Sequence, residues 1–568
     1  MNKTIEQIIR KALSRLGYDS QVDFSVEPPP QESFGDYSSN VALLLSRRAG
    51  KPPFVLAQEL SGVIFEGKDK SLFSKIEAAR SGFINFTLSS RVLHEYLRII
   101  LKEKEKYGQQ NLGRKEKILV EYFQPNIAKP LHLGHLRTAV IGDALFRILK
   151  AVGYKVESDS HIGDWGTQFG LLLAAYKKWG DDKVIAVDPI NELNKLYIRI
   201  NREMETHPEL REIGKAEFAK LERGDRENRR LWKKFVKWSW EEFDKLYDLF
   251  QIRRADHNWP ESFYEDKMPA VVEELKQKKL LKESEGAQIV DLSAYNLGIA
   301  VIIKSDGATL YILRDLATYI YRQKKGFKRQ IYVVDNRQKH VLAQTFKILE
   351  LLGYIKQPGE AVHIDYGFLK LPEGVMSTRR GNVIGPEELL QEAVRRVSKI
   401  IQEKNPGLRN PDEVAQMVAR GAVKYFDLSH NLKSDIIFRW EEVLNFEGNS
   451  GPYIQYTHAR IKSILRKAGR VPLLKDPQLA NKEEQALLRL LVKYPEVVAA
   501  SAENYLPSYI AGYLFTLAGK FNNFYHKLRV LDEAQETVRS SRIMLVAAVA
   551  QVIKNGLGLL GIEAPEEM

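Results

Sequence analysis

The segment from residue 117 to residue 152 constrains the fold more than any other part of the chain. The run KILVEYF at residues 117–123 is short, apolar and rich in β-forming residues, which predicts a strand. A loop with two prolines follows, and then HLGHLRTAVIGDALFRILKAVG keeps one apolar helical face, made by Ile141, Leu145, Ile148, Leu149 and Val152. A strand, a loop and a helix in this order open a parallel α/β sheet.

The rest of the chain predicts two further units around this sheet. More strands are predicted at GIAVIIK, RQIYVVD and AVHIDYG, with the helical runs LRDLATYIYRQ and VLAQTFKILELLG between them, so the sheet should have two halves. A highly charged helical insertion is predicted between the halves, at about residues 181–254. After about Pro386 no strand is predicted and the chain should form a helical bundle. The first hundred or so residues mix a helix with β-like runs such as FINFTL. We therefore predict a multidomain α/β plus α protein with units at 1–112, 113–395 and 396–568.

Composition excludes several classes of site. The 568 residues include no cysteine, so a disulfide framework, a cysteine-bound zinc and a thiol nucleophile are impossible, and a reducing cytoplasm fits. No apolar run approaches the roughly 18 residues that a membrane span requires, and the N-terminus has the spacing of a folded helix. The 86 Lys and Arg against 73 Asp and Glu give a net charge of +13, which favours a polyanionic partner such as nucleic acid.

The string His132-Leu133-Gly134-His135 lies where the predicted strand gives way to the helix. Gly134 permits close backbone approach, and the N–H groups at a helix N-terminus favour an anion. The two imidazoles can donate to phosphate oxygens as charge develops during a displacement. Taken alone, the string fits equally well a capped helix with two surface histidines.

The helical run LYILRDLATYIYR places Tyr311 and Asp315 four residues apart, so that both lie on one face. A carboxylate beside an aromatic ring suits a guanidinium, which pairs bidentately with the acid and stacks on the ring. The alternative from the residues alone is an intrahelical ion pair between Asp315 and Arg314 or Arg322.

Several long strings resemble one family. HLGH resembles the HIGH signature of class I aminoacyl-tRNA synthetases, and the longer runs VEYFQPNIAKPLHLGHLRTAVIGDA and HIGDWGTQFG, from His161 to Gly170, resemble the arginyl-tRNA synthetases in particular. FEGNSGPYIQYTHARIKSI and the final GLLGIEAPEEM resemble that family's helix junction and chain end. FGDYSSNVALLLS resembles its additional N-terminal domain. The resemblance covers essentially the whole chain.

The resemblance implies a fold and a reaction. The fold is a Rossmann-like catalytic domain with a helical insertion, an α+β N-terminal domain that touches the tRNA elbow, and an all-α C-terminal domain that binds the anticodon. The reaction joins arginine to the 3′ end of tRNA(Arg) through an arginyl-adenylate made from ATP, with Mg²⁺ accompanying the ATP. The resemblance further implies a monomer in the cytoplasm, with no membrane partner, no zinc and no metal held by the protein itself.

The resemblance also assigns residues. GVMSTRRGNVIG occupies the place of the KMSKS signature but has Val375 and Thr378 where lysines would stand, so Lys129 becomes the substitute cation. The catalytic set implied is His132, Gly134, His135, Lys129, Arg379 and Arg380. The arginine-binding set is Glu121, Asn126, His135, Tyr311, Asp315 and Gln338, and the ATP-binding set is His132, His135, Met376, Ser377 and Thr378.

Simpler interpretations stay open for some of these residues. Arg379 and Arg380 could form an ordinary basic surface turn, Asn126 and Gln338 could be loop-capping amides, and Lys129 could be a solvated loop residue. Two other class I synthetases fit the whole chain less well. A cysteinyl enzyme would need a cysteine-bound zinc, which a chain without cysteine cannot form, and a glutamyl-type pocket would have cations in place of Asp315. A catalytically impaired tRNA-binding paralogue with a regulatory role remains as the alternative function.

Overall fold

The computed structural model describes residues 1–370 and 385–568. The N-terminal unit packs helices against a four-stranded antiparallel sheet in the order β1-β2-β4-β3. Its elements are α1 (Asn2–Arg15), β1 (Val26–Glu27), β2 (Tyr37–Ser39), α2 (Val41–Ala49), α3 (Pro53–Glu66), β3 (Phe73–Ala78), β4 (Ile84–Leu88) and α4 (Ser90–Glu103). The predicted β-like run FINFTL is β4, as expected for an α+β unit.

The central unit is built on the predicted strand, loop and helix. Its first elements are β5 (Lys117–Glu121), α5 (Leu133–Ala151), β6 (Lys155–Asp159) and α6 (Thr167–Trp179). Four helices follow in the charged stretch, namely α7 (Asp182–Ile185), α8 (Pro189–Glu203), α9 (Glu209–Glu222) and α10 (Arg226–Phe250). The second half holds α11 (Met268–Gln277), β7 (Leu281–Ser284), β8 (Ala287–Asp291), β9 (Ile299–Ile303), α12 (Tyr311–Lys324), β10 (Arg329–Asp335), α13 (Lys339–Leu352), β11 (Ala361–Tyr366) and β12 (Leu369–Lys370).

The main sheet is parallel, with the strand order β11-β10-β5-β6. Strand β5, from the first half of the unit, therefore lies beside β10, from the second half. This adjacency brings the loop after β5 and the loop after β10 to the same edge of the sheet. That edge, at the carboxyl ends of parallel strands, is where open α/β sheets bind ligands.

One predicted strand lies in a different sheet, and several strands were not predicted, among them β6, β7 and β8. GIAVIIK was predicted in the main sheet, but β9 instead joins β7 and β8 in a separate antiparallel sheet. The turn between β7 and β8 has positive φ at Glu285 and Gly286, which is typical of a tight β-hairpin. Strand β9 follows β8 closely in the chain and pairs with its free edge. Strand β6 was missed because it ends in Glu157, Ser158 and Asp159, and such polar residues do not make an apolar run.

The C-terminal third is helical, with one small exception. Its elements are α14 (Pro386–Lys404), α15 (Pro411–Ser429), β13 (Ile436–Ile437), α16 (Trp440–Val443), α17 (Gly451–Ala468), α18 (Lys482–Asn504), α19 (Ser508–Lys527) and α20 (Glu536–Leu559). No strand was predicted here, but β13 pairs in parallel with β12 of the central unit, a two-residue pairing too short to leave a sequence signal.

No apolar run of membrane-spanning length was predicted, but helix α20 is long and apolar enough to cross a membrane by length and composition. In the structure, 72% of its most apolar stretch is buried inside the protein. It also carries the buried Arg542, whose guanidinium is ion-paired with Glu484 of α18 at 2.7 Å. Burial among other helices and an internal ion pair mark α20 as a core helix of the bundle.

Candidate active site and family

A cavity of about 930 Å³ opens at the carboxyl edge of the parallel sheet. It is lined by residues from the loop after β5, the start of α5, the segment after β6, the first turns of α12 and the end of β10. Eight of the predicted site residues line it, namely Glu121, Asn126, His132, Gly134, His135, Tyr311, Asp315 and Gln338. Met376, Ser377, Thr378, Arg379 and Arg380 lie outside the described residues.

The HLGH corner is fixed by its own side chains. His132 is the N-cap of α5, and its Nδ1 accepts a hydrogen bond from the N–H of Gly134 at 3.1 Å. Nδ1 of His135 accepts in turn from the N–H of His132 at 3.2 Å, and the two rings stack with centroids 3.8 Å apart. Because each Nδ1 accepts, a neutral ring must carry its proton on Nε2. The corner therefore presents two Nε2–H donors at a helix N-terminus.

Both imidazoles are neutral near pH 7. Burial lowers the pKa of His132, and the charge of Arg337 adds to this effect. Burial also holds the pKa of His135 well below its ordinary value, with the charges of His132, Lys129 and Arg337 acting in the same direction. His132 and His135 therefore cap α5, as the simpler interpretation predicted, but their rings also line the cavity. An anion here would meet neutral donors and the helix dipole.

Lys129 lies close to this corner. Its Nζ is 3.5 Å from Oε1 of Gln168 and 5.0 Å from the ring centroid of Tyr197. The side chain is half-buried, and burial lowers its pKa. Within the part of the chain that the structure describes, Lys129 has no carboxylate partner. Lys129 does not itself line the cavity, but its charge is close enough to contribute to the lowered pKa of His135.

Asp315 is a half-buried carboxylate in the same cavity. It lies one turn after Tyr311, the first residue of α12, so both side chains share a helix face. Among the described residues its carboxylate has no hydrogen-bond or ion-pair partner. Burial raises the pKa of Asp315 to about 7, and the charge of Glu121 acts in the same direction. A carboxylate in this state gains most from a cationic ligand.

The intrahelical ion pair considered for Asp315 is absent, because both candidate arginines are engaged elsewhere. Arg314 binds Glu261 at 3.2 Å and Glu265 at 2.8 Å. Arg322 is fully buried and pairs with two carboxylates at 2.5 Å each, those of Glu121 and Asp159. These bonds leave Asp315 free to face the cavity.

Glu121, Asp159 and His161 have ligand atoms within 4.8 Å of one another, a spacing that would suit a metal ion. All three already have partners. Arg322 supplies the cation between the two carboxylates, and Nδ1 of His161 lies 2.9 Å from the carbonyl oxygen of Trp259. Glu121 also accepts from Nε2 of Gln124 at 3.2 Å, so it lines the cavity with both oxygens engaged. The cluster is therefore built around a guanidinium.

Asn126 is held by the second family string. The N–H of Ile127 donates to the carbonyl of Gly163 at 3.0 Å, and the N–H of Gly163 donates to the carbonyl of Pro125 at 3.1 Å. A Cβ added at Gly163 would lie 2.0 Å from Oδ1 of Asn126, so only glycine leaves room for that side chain. Gln338 ends a short 3₁₀ turn after β10 and is exposed at the cavity edge.

Three further residues of the cavity wall were missed by sequence reasoning. Burial raises the pKa of Glu261 to about 8, with the nearby carboxylates of Asp164 and Asp315 contributing. His161 lies beside Glu121, and burial lowers its pKa to about 4. Arg337 projects from the turn after β10. His161 opens the string HIGDWGTQFG and could have been suspected. Glu261 and Arg337 carried no comparable signal, since the fold alone brings them to Asp315 and His132.

Comparison with known proteins matches the chain along most of its length. The family model for the class I tRNA synthetase (R) catalytic domain matches residues 96–440, the DALR anticodon binding domain matches 454–568, and the arginyl tRNA synthetase N-terminal domain matches 3–88. The arginine–tRNA ligase of Halothermothrix orenii is 42% identical over 555 residues, covering 96% of each chain. That of Lactobacillus delbrueckii is 42% identical and covers 99% of this chain and 100% of its own.

A solved structure agrees with these matches. The arginyl-tRNA synthetase of Thermus thermophilus superimposes with a TM-score of 0.82 at 29% sequence identity, covering 100% of both chains. The family models, the curated relatives and this structure all point to the same family. The chain therefore belongs to the arginyl-tRNA synthetases, the class I enzymes that ligate arginine to tRNA.

Proposed function

We propose that the cavity binds arginine at its Asp315 end and the phosphates of ATP at its HLGH end. The observation that carries this proposal is the coexistence, in one cavity, of a half-buried carboxylate without a partner among the described residues and two Nε2–H donors at a helix N-terminus. The first suits a guanidinium and the second a phosphate. Both ends line the same cavity, so one arginyl-adenylate is proposed to occupy it.

The reaction proposed for this arrangement is adenylate formation followed by transfer. A carboxylate oxygen of arginine attacks the α-phosphorus of ATP, the bond from that phosphorus to the bridging oxygen breaks, and pyrophosphate leaves with the electron pair. A terminal ribose hydroxyl of tRNA(Arg) then takes the arginyl group and AMP leaves. No nucleophile of the protein is required, so its residues act by positioning and by stabilising charge.

In the arginine pocket, we assign the guanidinium to Asp315, with Tyr311 against its plane. Glu261, which is also paired with Arg314, adds a second carboxylate close enough to Asp315 for their charges to interact. Glu121 adds negative charge although its oxygens are engaged. The amino and carboxylate ends of arginine are assigned to Asn126, His135 and Gln338. A neutral analogue such as citrulline would leave Asp315 without its charged partner, which makes selection for arginine sharp.

In the nucleotide site, His132 and His135 donate from Nε2 and Lys129 supplies a positive charge. Met376, Ser377, Thr378, Arg379 and Arg380 are also proposed to bind ATP. Asp335, the cavity carboxylate near His132, is held by the guanidinium of Arg337 at 2.7 Å. Because Asp335 is already paired, Mg²⁺ is assigned to the ATP substrate and not to a protein carboxylate. As part of MgATP it would add to the neutralisation of phosphate charge. Zinc has no proposed role.

Gly134→Ala tests whether the histidine geometry matters. A Cβ at this position would lie 2.9 Å from Cε1 of His132, so the ring must move. Alanine favours helical backbone, and the melting temperature should not fall. We expect arginine-dependent ATP–pyrophosphate exchange, measured with tRNA present, to drop about tenfold, the effect of roughly 1.4 kcal/mol on the barrier. Gly62→Ala in α3, where no atom lies within 4 Å of the new Cβ, is the matched control. Equal activities of the two variants would contradict the prediction.

A second cavity, of about 890 Å³, lies in the C-terminal bundle and is proposed as the anticodon site. It combines the exposed rings of Tyr456 and Tyr525 with basic side chains such as Arg460 and Lys467. The Arg460 guanidinium lies 4.8 Å from the Tyr456 ring centroid and 5.8 Å from that of Tyr525. Exposed rings stack unpaired bases, while cations meet phosphates. The N-terminal unit is proposed to touch the tRNA elbow.

Tyr525→Ala should raise the KM for tRNA about tenfold, since base stacking contributes roughly 1–3 kcal/mol. Tyr509→Ala is the control, because Tyr509 lies on the same helix, is 44% exposed against 40% for Tyr525, and does not line the cavity. The KM for arginine should be unchanged in both. If Tyr509→Ala raised the KM for tRNA as much as Tyr525→Ala, the assignment of this cavity would be wrong.

We further propose that the units 1–112, 113–395 and 396–568 act as elbow-binding, catalytic and anticodon-binding domains of a cytoplasmic monomer. The test of the whole function is ATP-dependent esterification of radioactive arginine to total tRNA, with lysine and glutamine as controls. Incorporation of arginine alone supports the proposal. A protein that binds tRNA but esterifies nothing would instead be the impaired paralogue, an alternative that no feature of the described residues favours, since the HLGH corner, Tyr311 and Asp315 are all in place.

A further inference from the structure

Arg337 is a cation held rigidly at the cavity wall. It lies in the 3₁₀ turn Asn336–Gln338 that follows β10. Its Nε and Nη2 donate to the two carboxylate oxygens of Asp335 at 3.0 Å and 2.7 Å, and its backbone N–H donates to the same carboxylate at 3.0 Å. The guanidinium also lies 5.1 Å from the ring centroid of Phe368. A bidentate ion pair and an aromatic face together fix the plane of the group.

This fixed guanidinium retains free donors. Its side chain is 67% exposed, although it belongs to the cavity wall together with His132, Gly134 and His135. Within residues 1–370 and 385–568, Nη1 makes no hydrogen bond. A guanidinium has five N–H groups, and the pair with Asp335 uses two of them. The remaining donors are available to a ligand in the cavity.

The charge of Arg337 reaches the HLGH corner. It is the second cause, after burial, of the lowered pKa of His132, and it contributes to the lowered pKa of His135. Because both imidazoles are neutral, the corner itself brings donors but no positive charge. A triphosphate carries several negative charges, and these must be met by cations beyond the two rings.

We propose that Arg337 binds the phosphate chain of ATP and stabilises the charge of the departing pyrophosphate, a role that rests on the proposed adenylate reaction. Negative charge grows on the bridging oxygen as its bond to the α-phosphorus breaks. A guanidinium that is already in place costs no reorganisation at that moment. Asp335 acts as a positioning residue, because its carboxylate orients Arg337 through the bidentate pair.

The competing role for Arg337 is simply to neutralise Asp335 at the end of β10. That role predicts that removing either partner harms folding and leaves the kinetics for ATP unchanged. The nucleotide role predicts a specific pattern in steady-state constants. The two roles are thus separated by measuring the KM values for ATP and arginine, together with kcat, in folded full-length variants.

The experiment is arginine-dependent ATP–pyrophosphate exchange with saturating tRNA and Mg²⁺, on wild type, Arg337→Ala, Arg337→Lys and Asp335→Asn. We expect Arg337→Ala to lower kcat/KM for ATP about tenfold, as for loss of a partly exposed charged hydrogen bond, while the KM for arginine changes less than about twofold. Lysine keeps the charge but not the bidentate fork, so Arg337→Lys should recover part of the loss. Asp335→Asn should fall between wild type and Arg337→Ala.

Lys339→Ala is the matched control, since it removes another exposed cation two residues further along and outside the cavity wall. Equal kcat/KM values for ATP in Lys339→Ala and Arg337→Ala would overturn the proposal, as would a loss confined to the KM for arginine. If wild type itself showed no arginine-dependent exchange or charging, the proposed function would be wrong. An active wild type whose Arg337→Ala variant kept the same kinetic constants would instead overturn only the role of Arg337. Thermal melts of each variant exclude misfolding, and Arg337→Lys carries the test if the alanine variant is unstable.

Discussion

Arginine binding should weaken by about 2 kcal/mol or more, roughly 30-fold in affinity, when Asp315 is replaced by asparagine. Asparagine keeps the size of the side chain and removes the charge. In the structure this carboxylate lines the cavity, and among the described residues it pairs with none, so the arginine guanidinium is its expected partner. Glu261 and Glu121 stay in place in the variant, which is why some binding should remain.

Calorimetry of arginine binding to the folded variant is the measurement. Asp306→Asn is the matched control, because Asp306 is an exposed carboxylate in the turn before α12 and accepts only from the N–H of Ala308 at 3.1 Å. The control should bind arginine as wild type does. An unchanged affinity in Asp315→Asn would remove Asp315 from the pocket.

The pH dependence of the same binding supplies a second readout. Burial raises the pKa of Asp315 to about 7 and that of Glu261 to about 8 in the empty cavity. Arginine binds the ionised carboxylates, so lowering the pH through these values must add protons that compete with arginine. Affinity should therefore be highest above about pH 8 and fall as the pH drops below 7. Asp315→Asn should flatten the lower part of this curve.

How far the site could be predicted depends on where its residues lie along the chain. His132, Gly134 and His135 form one short string, and Tyr311 and Asp315 share one helix face, so local sequence was enough to propose them. Their tautomers and neutral state could not be predicted, because these depend on capping hydrogen bonds and on burial. The sequence also could not predict that Arg314 and Arg322 leave Asp315 unpaired, because the carboxylates that these arginines bind come from other segments of the chain.

Glu261 and Arg337 show the limit of sequence reasoning more clearly. Glu261 is the first residue of the 3₁₀ helix Glu261–Lys267 after α10, and only the packing of α12 against that helix brings it to Asp315. Arg337 reaches the HLGH corner because β10 lies beside β5 in the sheet, a neighbour relation between the two halves of the unit. The same dependence on pairing explains the misplaced β9, since an apolar run predicts a strand but not which sheet it joins.

Lys129→Ala should lower kcat for adenylate formation on the order of 10²-fold, the usual effect of losing one preorganised donor to transition-state charge. Lys129 is half-buried beside Gln168 and Tyr197, and its charge reaches His135. Arginine affinity should change little, because the interaction is made mainly as pyrophosphate departs. Single-turnover adenylate formation with saturating tRNA is the measurement.

The control for Lys129→Ala is Lys178→Ala. Lys178 is exposed on α6, and its Nζ lies 4.8 Å from the Trp179 ring centroid, a cation–π contact like that of Lys129. Unlike Lys129, it is not among the charges that lower the pKa of His135. Arg379→Ala and Arg380→Ala, at positions outside the described residues, compare the contributions of these cations with that of Lys129. Each should lower the rate of adenylate formation less than Lys129→Ala if Lys129 is the main cation. Burial lowers the pKa of Lys129, which marks a partly dry site where each charge has a larger effect than at the surface. Wild-type rates in Lys129→Ala, together with large losses in the two arginine variants, would assign the neutralisation of pyrophosphate to Arg379, Arg380 and Arg337.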